Sequence, residues 1–361
     1  MWTPSLGREV LRKKMNKNIL AIIYAISAAL FYALNVPCSK LLLQNISPVF
    51  LAGLLYIGAG LGIGILYLLN FKKENENTRL CKKDLPYTLG MILLDILAPI
   101  LLMIGIKYGT SSNASLLGNF EIVATTLIAL FIFKEKATWR LWIAILFITA
   151  SSIILSFESM DGLNFSVGSL FVIGATACWG LENNCTRKIS NKSTYQIVTI
   201  KGLCSGFGSI IVSVVTGDVS FNSKYIPFAL LLGFIAYGLS IFTYIRAQKY
   251  LGAAKTSAYY SFAPFIGAFL AFVILNEKLT IQYLFAFIVM IIGTIFVVYD
   301  TLLRAHLHEH THTFTHTHDG TTHTHTIAHS HLHNHFINDN NHGHHHSIDE
   351  LEEEMKKVVG K

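Results

Sequence analysis

The sequence predicts an all-α integral membrane protein of ten transmembrane helices, arranged as two inverted five-helix repeats and followed by a disordered cytoplasmic tail. Three observations carry this. The 361 residues are 52% hydrophobic and only 14% charged, whereas soluble domains carry about a quarter charged residues. Ten apolar stretches reach the roughly 20 residues that a helix needs to cross hydrocarbon. All sixteen histidines lie between His306 and His346, so body and tail have different chemistry.

The stretches run about 18–36, 48–69, 85–106, 111–133, 141–157, 167–185, 195–215, 225–245, 256–275 and 281–303. The first resembles a signal peptide in having basic residues before an apolar run. That run is too long for one, and nine more spans follow. The implied segments are a basic N-terminus (1–17), a first repeat (18–157), a second repeat (158–303), a histidine-rich tail (304–346) and a short amphipathic helix (347–361).

Charge sets the orientation, because basic residues collect in cytoplasmic loops. Of 28 Lys and Arg, only Lys40, Lys107, Lys224 and Lys278 fall on the side opposite the N-terminus, and Lys201 lies within a span. The other 23 share the N-terminal side. Both termini are therefore expected in the cytoplasm and the protein in the plasma membrane. The formal charge of +7 is an orientation signal. No basic patch outside the loops points to nucleic acid.

The chain repeats at an offset of 142. Lys107-Tyr108 matches Lys249-Tyr250, Ser115 matches Ser257, Phe120 matches Phe262, Glu135-Lys136 matches Glu277-Lys278, and Thr138 matches Thr280. Upstream the offset is 147, pairing Leu34 with Leu181, Cys38 with Cys185, Lys40 with Arg187 and Tyr32 with Trp179. Five spans per half force the second half to enter upside down, a recurrent way to build an alternating-access carrier with its site near the midplane.

Ten spans in two halves, with Lys134-Glu-Lys-Ala-Thr138 and Asn276-Glu-Lys-Leu-Thr280 closing the fourth span of each, resemble the drug/metabolite transporter superfamily, EamA type. The resemblance covers about 18–303. It implies a membrane carrier and leaves the substrate open among amino acids, drugs, nucleotide sugars and other metabolites. Such proteins usually have a proline midway along the fourth span of each half. The second half has Pro264. The first has Ile122, preceded by Glu121.

Ionisable groups within a bilayer are costly and mark substrate paths or partners. Asp95 and Glu121 sit midway along the third and fourth spans, and Glu182 and Lys201 lie in the cytoplasmic parts of the sixth and seventh. Near them in the sequence are Asn35, Asn119, Asn183, Asn184, Tyr32, Trp179, Tyr259 and Tyr260. Asp95 and Glu121 are candidates for cation binding or proton coupling. Glu182 and Lys201 read more readily as a structural pair, or Lys201 as a residue snorkelling to the interface. The expected transport path comprises Asn35, Asp95, Glu121, Trp179, Glu182, Asn183, Lys201, Tyr259, Tyr260 and Pro264. Glu135 and Glu277, each just before a span with Thr138 or Thr280 as N-cap, are expected to serve helix N-termini.

Gly58, Gly60, Gly62 and Gly64 in the second span, and Gly202, Gly206 and Gly208 in the seventh, are expected to let helices approach closely. The five cysteines show no Cys-x-x-Cys and read as buried free thiols. No phosphate-binding Gly-Lys-Ser/Thr loop and no nucleophile–base pattern occurs. ATP-driven transport and enzyme activity are not expected.

In the tail, His306, His308, His310, His312, His316, His318, His323, His325, His329, His331, His333 and His335 alternate with other residues, and His342, His344, His345 and His346 close the run. Alternate residues of an extended chain share a face, and imidazole suits zinc, nickel and cobalt. At about four ligands per ion, sixteen histidines hold at most about four. No cofactor is required, and Zn, Ni or Co would be bound by the tail. Ser347, Glu350 and the stripe Ile348, Leu351, Met355 and Val358 predict the final helix.

The reading is a secondary transporter of small organic metabolites of amino-acid or drug type, with a cytoplasmic metal-binding tail. The alternatives are a divalent-metal exporter fed by the tail and a membrane-anchored metal buffer or sensor. The expected partners are the lipid bilayer, a small-molecule substrate and transition-metal ions, with a homodimer left open.

Overall fold

The computed structural model describes residues 4–70, 78–132, 138–159, 164–189, 191–318 and 321–336. The helices are α1 (Pro4–Ala33), α2 (Asn35–Leu42), α3 (Pro48–Asn70), α4 (Leu85–Tyr108), α5 (Ser111–Leu117), α6 (Phe120–Phe131), α7 (Trp139–Ser156), α8 (Val167–Lys188), α9 (Thr194–Thr216), α10 (Ile226–Gly233), α11 (Ser240–Tyr260), α12 (Ala263–Leu275) and α13 (Ile281–Leu302). Two short strands, β1 (Phe157–Ser159) and β2 (Asn164–Phe165), join α7 to α8. α1 runs continuously from the segment read as the N-terminal arm into the first span.

Among the described residues, seven helical segments are long and apolar enough to cross a membrane: Ile19–Leu42, Pro48–Asn70, Lys82–Tyr108, Trp139–Ser156, Thr194–Thr216, Ser223–Ala247 and Ile281–Asp300. Three of the ten expected spans are not among them, for local reasons. The fourth is broken at Gly118-Asn119 into α5 and α6. The ninth is broken at Ser261-Phe262, just ahead of Pro264, where α12 begins. The sixth, α8, carries Glu182, Asn183, Asn184, Arg187 and Lys188.

One expected boundary is corrected. The loop read between the eighth and ninth spans, around 246–255, is helical, because α11 runs through it to Tyr260. Arg, Ala, Gln and Lys are strong helix formers, so a basic run marks the membrane edge without ending the helix.

Helix contacts follow the repeat. α3 packs on α9 as equivalent helices of the two halves, and α5 of the fourth span packs on α12 of the ninth. The α4–α8 packing of the third and sixth spans is mirrored by α11 on α1, and α6 on α8 is mirrored by α12 on α1. Equivalent helices also run in opposite directions. Gln282, in the first turn of α13, donates from Nε2 to the carbonyls of Ile154 and Phe157 at the C-terminal end of α7, at 2.7 and 2.9 Å. The start of α13 therefore lies beside the end of its repeat mate.

The two ends of the bundle separate the loops as charge predicted. At one end, Ser47 N donates to Ser220 O (2.7 Å) and Asn222 N to Asn45 O (3.0 Å). At the other, Ser193 N donates to Thr78 O (2.7 Å), and Lys192 Nζ lies 3.3 Å from Asp84.

Glycine sets the closest packing. A Cβ on Gly60 would lie 2.5 Å from Leu203 N, and one on Gly206 2.6 Å from Ile57 N. The two glycine-rich segments pair with each other, so α3 and α9 touch backbone to backbone. The thiols are less buried than expected. All five are free, but Cys81 and Cys204 are exposed, and Cys38, Cys178 and Cys185 are partly so.

Residues from Tyr299 onward form a separate unit. In place of a disordered tail, β3 (Leu303–His318) and β4 (Thr321–Phe336) form an antiparallel hairpin. Its register pairs His306 with His333, His308 with His331, His310 with His329 and His316 with His323. The expected helix at 347–361 and His342, His344, His345 and His346 lie outside the described residues, as does Glu135.

Candidate functional site

The polar centre of the body starts from a helix defect. Pro99 lies inside α4. It has no N–H, so the carbonyl four residues earlier, that of Asp95, loses its helical partner. Asp95 is fully buried there. Its side chain accepts from Tyr56 Oη at 3.0 Å, and Lys201 Nζ stands 3.0 Å from its other oxygen. Lys201 is also 3.0 Å from Glu182 Oε1. Glu182 accepts a further hydrogen bond from the Thr186 hydroxyl one turn on.

The glycine contact positions this cluster. Tyr56 is one turn before Gly60, and Lys201 is next to Gly202, so the α3–α9 contact brings both side chains to α4. One lysine thus holds two carboxylates. Asp95 comes from the first half, and Glu182 and Lys201 come from the second. The pairing expected for Glu182 and Lys201 is present, and Asp95 joins it.

Glu121 makes a second centre. The break at Gly118-Asn119 puts it in the first turn of α6, where a carboxylate suits the helix dipole. Asn183 of α8 donates to its Oε1 at 2.6 Å and lies 3.4 Å from Thr125 Oγ1. Asn184 donates to the carbonyls of Thr125 (3.3 Å) and Gly180 (2.8 Å). The bonds to Glu121 and Thr125 also cross between the halves.

Asn35 makes a third. It is fully buried, donates to Tyr237 Oη at 2.8 Å and accepts from Ser39 at 3.2 Å. Tyr237 lies against Tyr56 and Tyr32, with ring centroids 5.0 and 6.1 Å apart, and Tyr32 reaches Tyr260 at 5.8 Å. A continuous set of aromatic rings therefore connects Asn35 with the Asp95 centre. Beside it, Tyr32, Trp179, Ser115, Gly118, Thr176 and Pro264 enclose a cavity of about 20 Å³, room for about one water.

Of the ten expected path residues, seven take part in these centres, and Trp179 and Pro264 line the cavity beside them. Tyr259 does neither, being exposed at 36% while its neighbour Tyr260 turns inward. Tyr56, Tyr237, Thr125 and Thr186 were not foreseen. A tyrosine hydroxyl buried in a span needs a partner, and that signal was present in the sequence. The side chains of Ser111, Ser115 and Asn119, spaced by four, each hold a buried polar atom without a hydrogen-bond partner.

Glu277 serves a different helix from the one expected. Its oxygens accept from Ser111 N (2.6 Å) and Ser112 N (2.8 Å), capping α5 in the other half. Thr138 and Thr280 do cap α7 and α13, accepting from Leu141 N and Tyr283 N. No cluster of three metal-ligating side chains occurs among the described residues.

Comparison with known proteins agrees with this architecture. The EamA-like transporter family pattern matches residues 19–157 and 166–299, one block per repeat. An uncharacterized transporter of Methanothermobacter thermautotrophicus is 26% identical over 300 residues, spanning 78% of this chain and 87% of that protein. The uncharacterized transporter YyaM of Bacillus subtilis is 23% identical over 219 residues, spanning 58% and 72%. A solved crystal structure superposes with a TM-score of 0.57 at 15% identity, covering 78% of this chain and 96% of that one; it speaks to the fold alone. With both repeats matched, the chain belongs to the EamA-like transporter family.

Proposed function

We propose that this chain is a secondary carrier of small organic metabolites, of amino-acid or drug type, working by alternating access. The observation that carries the reading is the placement of charge. Asp95 and Glu121 come from one half, and Glu182, Asn183 and Lys201 from the other, so the polar contacts lie where the halves meet. Intramembrane ionisable groups at a repeat interface suit substrate and coupling-ion sites. The narrow inner cavity fits a closed stage of the cycle.

In this reading the chain crosses the plasma membrane ten times, counting the broken helices, with both termini in the cytoplasm. It needs no resident cofactor and does no covalent chemistry. One Lys201 ammonium stands between two carboxylates, and Glu121 is a further carboxyl that a proton or cationic group of the substrate would meet.

A second reading, export of zinc, nickel or cobalt fed by the tail, rests on the hairpin register. Even positions of β3 oppose odd positions of β4. The histidines of β3 are all even and those of β4 all odd. The register therefore sets His306, His308, His310 and His316 opposite His333, His331, His329 and His323, which favours this reading. Against export, the membrane body has no histidine.

Cellular metal content under nickel, zinc and cobalt challenge separates the readings. It would be compared for the full chain, a truncation after Ala305 and Glu121→Gln. The organic-solute reading expects no metal to fall because of the body. A metal lowered by the full chain but by neither variant would replace it with metal export. Metal content that rises with the tail regardless of Glu121 would make the tail a buffer.

A further inference from the structure

A second, larger cavity of about 460 Å³ opens at the end of the bundle where α4 and α7 finish and α5 and α13 begin. It lies within the size range of small-molecule sites. Its charge is one-sided. Among the described residues, Lys40, Lys107 and Lys278 line it, and no carboxylate does. These are three of the four lysines that sequence assigns to the outer loops.

The three lysines are not equivalent. Lys40 is committed, because its Nζ donates to the carbonyls of Ile106, Lys107 and Gly109 at 2.6, 3.2 and 2.7 Å, closing the C-terminal end of α4. Lys107 and Lys278 are exposed and make no ion pair among the described residues. The neighbouring Glu277 is engaged by the α5 N-terminus through both oxygens. The local acid is therefore held against a helix N-terminus while two ammonium groups stay available.

A second observation points to a ligand. Tyr283 lines the same cavity and is only 5% exposed, yet its hydroxyl has no hydrogen-bond partner. A buried hydroxyl left unpaired is costly. Its ring is held between Phe272 and Phe287, with centroids 5.1 and 6.0 Å away. Gln282 is fixed on two carbonyls and steadies the same wall.

We propose that this cavity is an oxyanion-binding vestibule. It takes a small organic solute through its carboxylate or phosphate group, with Lys107 and Lys278 supplying charge and the Tyr283 hydroxyl donating to one oxygen. Charge-assisted hydrogen bonds of this kind are the strong ones. The inference deepens the carrier reading and rests on it, since the vestibule would be the substrate's first or last stop.

The test is calorimetric titration of the purified full-length protein in detergent. One arm uses succinate and benzoate, and the other uses inorganic phosphate and glycerol phosphate; the tighter arm identifies the oxyanion. Tyr283→Phe should weaken the binding about tenfold while leaving the melting temperature unchanged or higher, because the packing stays and the orphan hydroxyl goes. Lys107→Gln with Lys278→Gln should weaken it at least tenfold and flatten its salt dependence. Lys224→Gln, at the same end but outside the cavity, should change nothing. The inference is overturned if no probe binds, or if binding is indifferent to Tyr283→Phe and to the lysine pair. Flux in proteoliposomes keeps the two claims apart. Flux without vestibule binding rejects the vestibule alone, and binding without flux of any organic solute rejects the carrier reading.

Discussion

Replacing Lys201 by methionine tests the polar centre most sharply. Lys201 is 8% exposed, Asp95 0% and Glu182 2%, and both carboxylates lie 3.0 Å from one ammonium. Methionine fills a similar volume but strands two acidic groups. Removing one partner of a buried ion pair costs about 3–5 kcal/mol. That is a large share of a stability of about 5–15 kcal/mol. At about 2–4 °C per kcal/mol for chains of ordinary domain size, the melting temperature should fall by on the order of 10 °C. The assay is thermal unfolding in detergent, beside a variant that neutralises all three groups (Lys201→Met, Asp95→Leu, Glu182→Met). This triple variant should recover most of the loss, because a buried ion pair and a well-packed apolar replacement are often close in stability. A melting temperature within about 2 °C of wild type for Lys201→Met alone would refute the ion cluster as described.

Four further outcomes are expected. Gly60→Leu should cost at least about 1–3 kcal/mol by overpacking, since a Cβ there already meets Leu203 N at 2.5 Å; loss of monodisperse protein on size exclusion would show it. Glu277→Gln should lower stability by about 1–2 kcal/mol by weakening two charge-assisted bonds to the α5 N-terminus, read by the same melting assay. Glu121→Gln should abolish the pH dependence of solute flux, and unchanged flux at every pH would remove Glu121 from the mechanism. Metal bound by the tail should be released as pH falls below about 6.5, where free imidazole takes its proton; zinc retained at pH 5 after desalting would contradict it.

The membrane body was legible because burial in lipid leaves a long apolar signature, and the repeat because it survives as Lys-Tyr, Glu-Lys and Thr at fixed offsets. The helix breaks were half legible. Pro264 announced the second, whereas the first hinges on Gly118-Asn119, a turn signal that lies just ahead of Ile122 and has no proline beside it. Glu277 shows why pattern alone misplaces a cap. The need for a carboxylate at a helix N-terminus is local chemistry, but which helix it meets is decided by the inverted packing of the halves. Tyr56 and Tyr237 were missed for the same reason, since their partners Asp95 and Asn35 are 39 and 202 residues away. The tail's alternation was plain, while the pairing of its histidine positions depends on a register that only the hairpin fixes.

The central claim is best tested by flux. Purified protein would be placed in ATP-free liposomes loaded with a mixture of small organic metabolites. The external medium would be followed by mass spectrometry for wild type and Glu121→Gln. The account predicts that at least one organic solute leaves the wild-type vesicles down its gradient, and that Glu121→Gln slows it at least tenfold. Vesicles that release zinc, nickel or cobalt but no organic solute would contradict it.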